Sequence, residues 1–323
     1  MWLYLAVLLG LYFLRRWYRE KQTVENLREK FVFITGCDSG FGNQLARQLD
    51  LQGLHVLAAC LTQKGAEQLE KATSERLKTT ILDVTRTESV AAVTEWVKKQ
   101  VGSKGLWGLV NNAGVLTLMT PNEWLTKDDF RKMLEVNLLG AIDVTLHMLP
   151  LVRRAQGRVV NVTSVAGRVS YSGGGYSPSK FALEAFSDSL RRELRPFGVK
   201  VSIIEPGGFK TNIDENVIRN LKTHWNEMPD EIKELYGQDY MDSGDRYCSV
   251  VKLFTTFKKA SRNLYPVTDC MEHALTSRYP RSRYAAGQDA KFYYLPLSYL
   301  PASLMDYIMS YYQPRPAGSL SGS

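Results

Sequence analysis

Apolar and polar positions alternate in blocks along most of the chain. Phe31 to Thr35 (FVFIT) is a short run of β-favouring residues, followed by a glycine-rich turn and a helical period from Phe41 to Leu51. The unit recurs. The pattern predicts strands over Leu54–Cys60, Thr79–Leu82, Leu106–Val110, Arg158–Val162 and Val199–Ile204. Between them it predicts helices over Gly65–Ala72, Ser89–Val101, Lys127–Leu151 and about Ser179–Leu194. Strands that read as continuous apolar runs are covered on both faces. Strands separated by helices of this length are parallel and joined by helical crossovers. The prediction is an α/β fold, a doubly wound parallel sheet with helices on both faces.

Phe209 to about Tyr279 breaks the rhythm. It is polar, helix-rich and punctuated by Pro229 and Pro266. It follows the sixth strand, near the carboxyl ends where α/β sheets bind ligands, so 209–279 reads as a substrate-binding insertion. The ends differ again. Trp2 to Leu14 (WLYLAVLLGLYFL) carries no charge, and Arg15, Arg16, Arg19 and Lys21 follow it. Charges after the apolar run, with no A-x-A-like cleavage site, point to an uncleaved anchor rather than a signal peptide. The positive-inside rule then puts the bulk of the chain on the cytosolic side. Phe292 to Tyr312 holds six tyrosines, and Asp306 is its one charge. Pro296 and Pro301 rule out an unbroken spanning helix. Two readings stay open: an interfacial segment with Arg278, Arg281 and Arg283 facing lipid headgroups, or a lid on the core or another subunit. The domains expected are an anchor over 1–18, an α/β domain over 29–288, an apolar segment over 289–316 and a flexible tail over 317–323.

Of 323 residues, 44% are hydrophobic and 23% charged, which excludes a disordered chain, a collagen or a coiled coil. The net charge of +8 suits an anionic cofactor or membrane surface. It would also suit nucleic acid, but the basic residues are dispersed without interleaved aromatics, so none is expected. Cys37, Cys60, Cys248 and Cys270 are too scattered for a disulfide framework or a zinc site.

The first chemical signal is Thr35-Gly36-Cys37-Asp38-Ser39-Gly40-Phe41-Gly42, between the first strand and the first helix. Gly36 allows a tight exit from the strand, Gly40 a close backbone approach to a pyrophosphate, and Gly42 close packing of helix on strand. The helix N-terminus offers N–H groups to phosphate. The lack of GK[ST] disfavours a phosphate-loop nucleotidase.

This TGxxxGxG spacing resembles the cofactor loop of the short-chain dehydrogenases/reductases, and later motifs agree in order. Asp83 in LDVT, Asn111-Asn112-Ala113-Gly114, Asn137 in EVNLLG, Ser164 in NVTSVAG, Tyr176 and Lys180 in YSPSK, and Pro206-Gly207 with Thr211 all match it. The resemblance implies a Rossmann-type sheet. It implies that Thr35, Gly36, Ser39, Gly40, Phe41, Gly42, Asp83, Asn111, Ala113, Gly114, Pro206, Gly207 and Thr211, with Tyr176 and Lys180, hold a nicotinamide cofactor. It also implies a catalytic set of Ser164, Tyr176, Lys180 and Asn137, Ser164 and Tyr176 touching substrate, and a homo-oligomer.

The residue types fit that chemistry. Tyr176 and Lys180 are four apart and share a helix face. A free phenol is a poor base at neutral pH, and a nearby ammonium favours phenolate. Tyr176 can then take an alcohol proton. Ser164 hydrogen-bonds the substrate oxygen, and Asn137 holds a water that relays the proton. Taken singly, each is as readily a core, cap or surface residue. The loop between Ser164 and Tyr176 is one residue shorter than in many relatives and holds Gly173-Gly174-Gly175, and Thr163 is the alternative hydroxyl. Pro178 requires the helix to begin near Tyr176. Cys60-Leu61-Thr62-Gln63 after the second strand has no base before Lys64, and Ser39 is not basic. This favours NAD, with NADP the alternative. The same segment has no acid to grip a ribose 2′-hydroxyl.

Longer stretches, among them FITGCDSGFGNQLARQLD, GLWGLVNNAG, EAFSDSLRREL and RYAAGQDAKFYYLPLSYLP, resemble the microsomal retinol dehydrogenase/17β-hydroxysteroid dehydrogenase branch. The likeness spans nearly the whole chain and is weakest from Asn212 to Asn263. It implies an endoplasmic reticulum enzyme oxidising all-trans-retinol or 3α- and 17β-hydroxysteroids. The alternative class is a non-catalytic lipid- or nucleotide-binding protein on the same fold.

Overall fold

The structure is a computed structural model that describes residues 2–242, 263–311 and 315–319; Cys248 and residues 320–323 lie outside them. Seven parallel strands form one sheet in the order β3-β2-β1-β4-β5-β6-β7. They are β1 Phe31–Thr35, β2 His55–Cys60, β3 Leu77–Ile81, β4 Gly108–Asn111, β5 Arg158–Val162, β6 Lys200–Pro206 and β7 Arg283–Ala286. The first six stand where the apolar runs predicted them. The order reverses between β1 and β4, which opens a crevice at their carboxyl ends.

Helices cover both faces. On one lie α2 Gly40–Leu51 and α3 Gln63–Glu70, with Leu45, Leu49 and Leu69 turned into the core. On the other lie α4 Thr87–Val101, α6 Ala141–Arg154 and α7 Tyr176–Leu194, burying Val97, Met148 and Leu190. The helix predicted from Lys127 is α5 Lys127–Leu134, a π-helical turn Glu135–Gly140, then α6. Among the described residues, only Lys127–Arg154 is long and apolar enough to cross a membrane, and its buried positions mark it as a core helix.

The insertion is shorter than the sequence suggests. It includes α8 Asn212–Glu227 and α9 Asp230–Tyr236. Helix α10 Tyr265–Thr276, assigned to the insertion by its polar residues, belongs to the core. Val267, Met271 and Leu275 recur at i+4 and are fully buried against the sheet. The Leu275 carbonyl at its end accepts Trp107 Nε1–H (3.0 Å) and Arg158 Nε–H (3.1 Å). Trp225, Met228 and Tyr240 of the insertion pack with Trp124 of the body in a small separate cluster.

The amino-terminal helix α1 Trp2–Glu20 leaves the body with its apolar side chains exposed, Tyr4 by 76% and Leu14 by 60%. Its base is fastened: Val24 N–H donates to the Thr276 carbonyl (2.8 Å) and Arg278 N–H to that of Gln22 (2.8 Å). At the other end, residues 290–297 and α11 Ala302–Tyr311 have two faces. Tyr294, Leu297, Met305 and Ile308 pack on Val165, Val169 and Tyr171, while Phe292, Tyr299, Tyr307 and Tyr311 are exposed. One face is thus a cover on the loop after Ser164. The segment read as a flexible tail is docked where described: Gly318 N–H and Ala317 N–H donate to the Leu235 (2.8 Å) and Tyr236 (3.0 Å) carbonyls. Those carbonyls end α9 and lack partners within the helix.

Candidate active site

The site is built where β1 and β4 end. Gly40 adopts φ +64° with open space where a Cβ would stand. At Gly42 a Cβ would collide with the Gly36 carbonyl and the Asn112 amide, so α2 starts hard against the turn. Ser39, its N-cap residue, is exposed and its side chain caps nothing. The first N–H groups of α2 lack partners within the helix, and glycine at 40 lets a phosphate reach them. Phe41 packs edge-on against Phe209, 5.8 Å between ring centres. These residues fit a dinucleotide.

Two residues assigned to the cofactor have side chains bonded within the fold. Thr35 is buried, and its Oγ1 accepts the N–H groups of Asn112 and Ala113, each at 3.0 Å. Asn111 is buried, and its Nδ2 donates to Thr145 Oγ1 and Asn161 Oδ1, each at 2.8 Å. Both side chains tie neighbouring strands together, although the Asn111 Oδ1 is left buried without a partner among the described residues. Asp83, just past β3, is half-buried. Its Oδ1 accepts from Thr85 N–H (3.0 Å) and Oγ1–H (2.7 Å), bonds that hold the carboxyl below its ordinary pKa.

Three separate motifs meet at Gly114. A Cβ there would stand 3.3 Å from Asn137 Oδ1 and 3.6 Å from Lys180 Nζ. Tyr176 is the first residue of α7, so Pro178 falls in the first turn, where it is tolerated. Lys180 Nζ lies 5.6 Å from the Tyr176 ring centre and donates to the Val162 carbonyl (3.0 Å). Burial pushes Lys180 down to about 8. Ser164 is nearly buried, its Oγ fixed by Ala166 N–H at 3.1 Å. Thr163 is not an alternative: its hydroxyl is engaged by the Ile204 carbonyl (3.0 Å) and Glu184 (3.2 Å).

Asn137 sits in the π-helical turn, a distortion frequent at functional sites. Its side chain bonds both Val115 N–H (2.8 Å) and the Val115 carbonyl (2.9 Å), and reaches Ser179 Oγ (3.2 Å). It is therefore a positioning residue through its side chain, holding the loop after Gly114 against α7. Pro206 and Gly207 end β6, and Thr211 precedes α8.

The sequence reading missed two carboxylates. Asp289 accepts Gly208 N–H (2.6 Å) and occupies the space beside Gly207, fixing the turn after β6. Asp38, within the glycine loop, accepts Leu61 N–H (2.7 Å), Thr62 N–H (2.9 Å) and Thr62 Oγ1–H (2.6 Å). An acid therefore stands beside the end of β2, contributed by the neighbouring loop. The only local signal was an acid inside the glycine motif.

The family model for short chain dehydrogenases matches residues 30–222. The chain belongs to that family. It is 59% identical to 17-beta-hydroxysteroid dehydrogenase type 6 of Homo sapiens, over 98% of this chain and 99% of that one. It is also 59% identical to retinol dehydrogenase 7 of Rattus norvegicus (99% and 100%) and 58% identical to retinol dehydrogenase 16 of Homo sapiens (99% and 100%). Among solved structures, a short-chain dehydrogenase from Streptomyces avermitilis is similar with TM-score 0.68 and 26% identity, covering 87% of this chain and 97% of that one. The chain is thus a Rossmann-fold oxidoreductase that uses a nicotinamide cofactor.

Behind the dehydrogenase's Tyr176 and Lys180, α7 carries a buried ionic network. Arg283 pairs with Glu184 (2.5 Å), Asp188 (2.8 Å) and Glu205 (3.0 Å), and Arg168 also reaches Glu205 (3.1 Å). Arg283 therefore faces inward rather than toward lipid, and Arg281 is paired with Glu20 (2.8 Å). The run read as basic surface is broken up because acids on α7, β6 and α1 pair with Arg283 and Arg281. Burial, reinforced by Glu205, raises Glu184 to about 7. An acid whose pKa is raised by folding adds stability below its unfolded pKa and loses it as pH rises through the folded one. The melting temperature of wild type should therefore fall, relative to Glu184→Gln, between about pH 4.5 and 7. Parallel melting curves for the two proteins across that window would refute this.

Proposed function

We propose that the chain is a membrane-anchored dehydrogenase that oxidises an apolar alcohol, a retinoid or a hydroxysteroid, with NAD as acceptor. The observation that carries this reading is the meeting of Tyr176, Lys180, Gly114 and Asn137 beside a glycine turn open to phosphate. The cofactor would be held by the turn over Gly36, Ser39, Gly40, Phe41 and Gly42, by Asp83, Ala113 and Gly114, by Lys180, and by Pro206, Gly207 and Thr211. When bound it supplies the hydride acceptor.

The chain's own groups do the rest. Tyr176 takes the hydroxyl proton of the alcohol, and the buried Lys180 ammonium favours its phenolate. Ser164 hydrogen-bonds the reacting oxygen. Asn137 keeps Val115 and α7 in register, and the 290–311 segment covers the Ser164 loop. Asp38, reaching from the glycine loop to the end of β2, supports NAD, because a carboxylate there accepts from a ribose 2′-hydroxyl and repels a 2′-phosphate.

The substrate class is supported by relatives named for retinol and for 17β-hydroxysteroids. Exposed apolar side chains along α1, followed by arginines, support a membrane anchor, and the resemblance to the microsomal branch favours the endoplasmic reticulum as its membrane. A homo-oligomer completes the reading. The test is reduced-cofactor formation by the full chain in detergent, offered all-trans-retinol and androstane-3α,17β-diol with NAD or NADP. NADH formation with at least one alcohol, faster than NADPH formation, is expected. A blank with both alcohols while NAD binds would overturn the substrate class.

A further inference from the structure

At the end of the sheet opposite the cofactor crevice, two open clefts of about 600 and 330 Å³ share Lys200, Pro280 and Arg281. They form one continuous groove. Arg15, Arg16 and Arg19, from the last turns of α1, line its outer half. Arg191, Arg192 and Arg195, from the end of α7, line its inner half. Among the described residues, the one acid lining it is Glu20, which Arg16 (2.9 Å) and Arg281 (2.8 Å) neutralise, and Asp188 beside it pairs with Arg191 (2.6 Å). The groove thus holds a large excess of positive charge. Lys200 registers that field: its pKa is lowered by burial and then by Arg158, Arg19 and Arg278. Its Nζ donates to the Arg278 carbonyl (2.8 Å), which fixes it in the wall.

The groove opens where α1 meets the body. The exposed apolar residues of α1 end at Leu14, and Trp17 and Tyr18 follow, ring types that prefer the headgroup level. The bonds from Gln22 and Val24 to Arg278 and Thr276 leave this junction little freedom. A bilayer that takes up α1 therefore brings its headgroups to the mouth of the groove.

We propose that this groove is a binding site for the headgroup of an anionic phospholipid, which docks the catalytic domain against the bilayer. The inference rests on α1 being a membrane anchor, and the test separates the two. Arginine forks and a lysine suit a phosphodiester with additional negative charge, and a zwitterionic headgroup gives such a wall no net attraction.

The full chain is reconstituted in phosphatidylcholine nanodiscs into which phosphatidylserine is titrated, and hydrogen exchange is followed at 191–202 and 278–282. Phosphatidylserine should slow exchange in both segments. Arg195→Gln with Lys200→Gln, at exposed positions away from the catalytic groups, should raise the phosphatidylserine needed for half-maximal protection roughly tenfold or more. Incorporation into neutral discs and turnover there should be unchanged. Failure to enter neutral discs would remove the anchor itself. Entry with equal exchange in both lipids would overturn the headgroup site. Protection reproduced by inorganic phosphate in neutral discs would make it a free-anion site, which also overturns the proposal.

Discussion

Tyr176→Phe should lower kcat by about 10³-fold or more while changing the dissociation constant of NAD by less than about twofold. The substitution removes one oxygen and leaves the ring, so the fold has no reason to change. What goes is the group that receives the alcohol proton. Lys180→Met should separate the electrostatic part of that function. The ammonium is buried, held by the Val162 carbonyl and pushed down to about 8 by its surroundings. Without it, the acid limb of the pH profile of kcat/KM should move up toward the ordinary phenol value of about 10. Single-turnover rates and equilibrium NAD titrations make both measurements. Full activity in Tyr176→Phe would remove Tyr176 as the base. NAD binding with no turnover in wild type, across retinoids and hydroxysteroids, would favour a non-catalytic binding protein.

The sequence carried the fold where burial is two-sided and local. β1 and β5 could be read to the residue because FVFIT and RVVNV have no polar alternation to obscure them. β7 was missed because RYAA is short and opens with Arg283, whose partners lie on α7 and β6, 78 to 99 residues away in the chain. Helix α10 was misplaced because its apolar positions, 267, 271 and 275, are diluted by Asp269, Glu272 and His273. The catalytic motifs were legible because Tyr176 and Lys180 need only helical spacing. Which members of a motif face a ligand was not legible. Thr35 and Asn111 lie in the right motifs, yet the Thr35 hydroxyl and the Asn111 Nδ2 are bonded to groups that only the folded sheet and α6 bring together. Asp38 shows the reverse error: its partners are 23 and 24 residues on, so no local pattern could place it at β2.

Asp38 leads to the second large effect. Asp38→Asn with Leu61→Arg should shift the ratio of kcat/KM for NAD over NADP by about 10²-fold toward NADP, whereas Leu61→Arg alone should shift it far less. Leu61 is exposed, and its N–H is the shortest backbone bond to the Asp38 carboxylate, at 2.7 Å. An arginine placed there is therefore paired by Asp38 unless the charge is removed. Two unit charges 4 Å apart interact by about 4 kcal/mol at an effective dielectric constant near 20, and screening at this half-open loop reduces that toward about 2–3 kcal/mol. That range corresponds to about 30- to 150-fold. Asp38→Asn alone should relax the preference rather than invert it, since the asparagine removes the repulsion and keeps an acceptor for Leu61 or Thr62 but brings no positive charge to a phosphate. The control is the melting temperature of each variant: a large drop would mean that Asp38 serves chiefly to hold β2 to the glycine loop. An unchanged NAD to NADP ratio in the stable double variant would place the discrimination elsewhere, with Lys64 in the first turn of α3 the next position to vary.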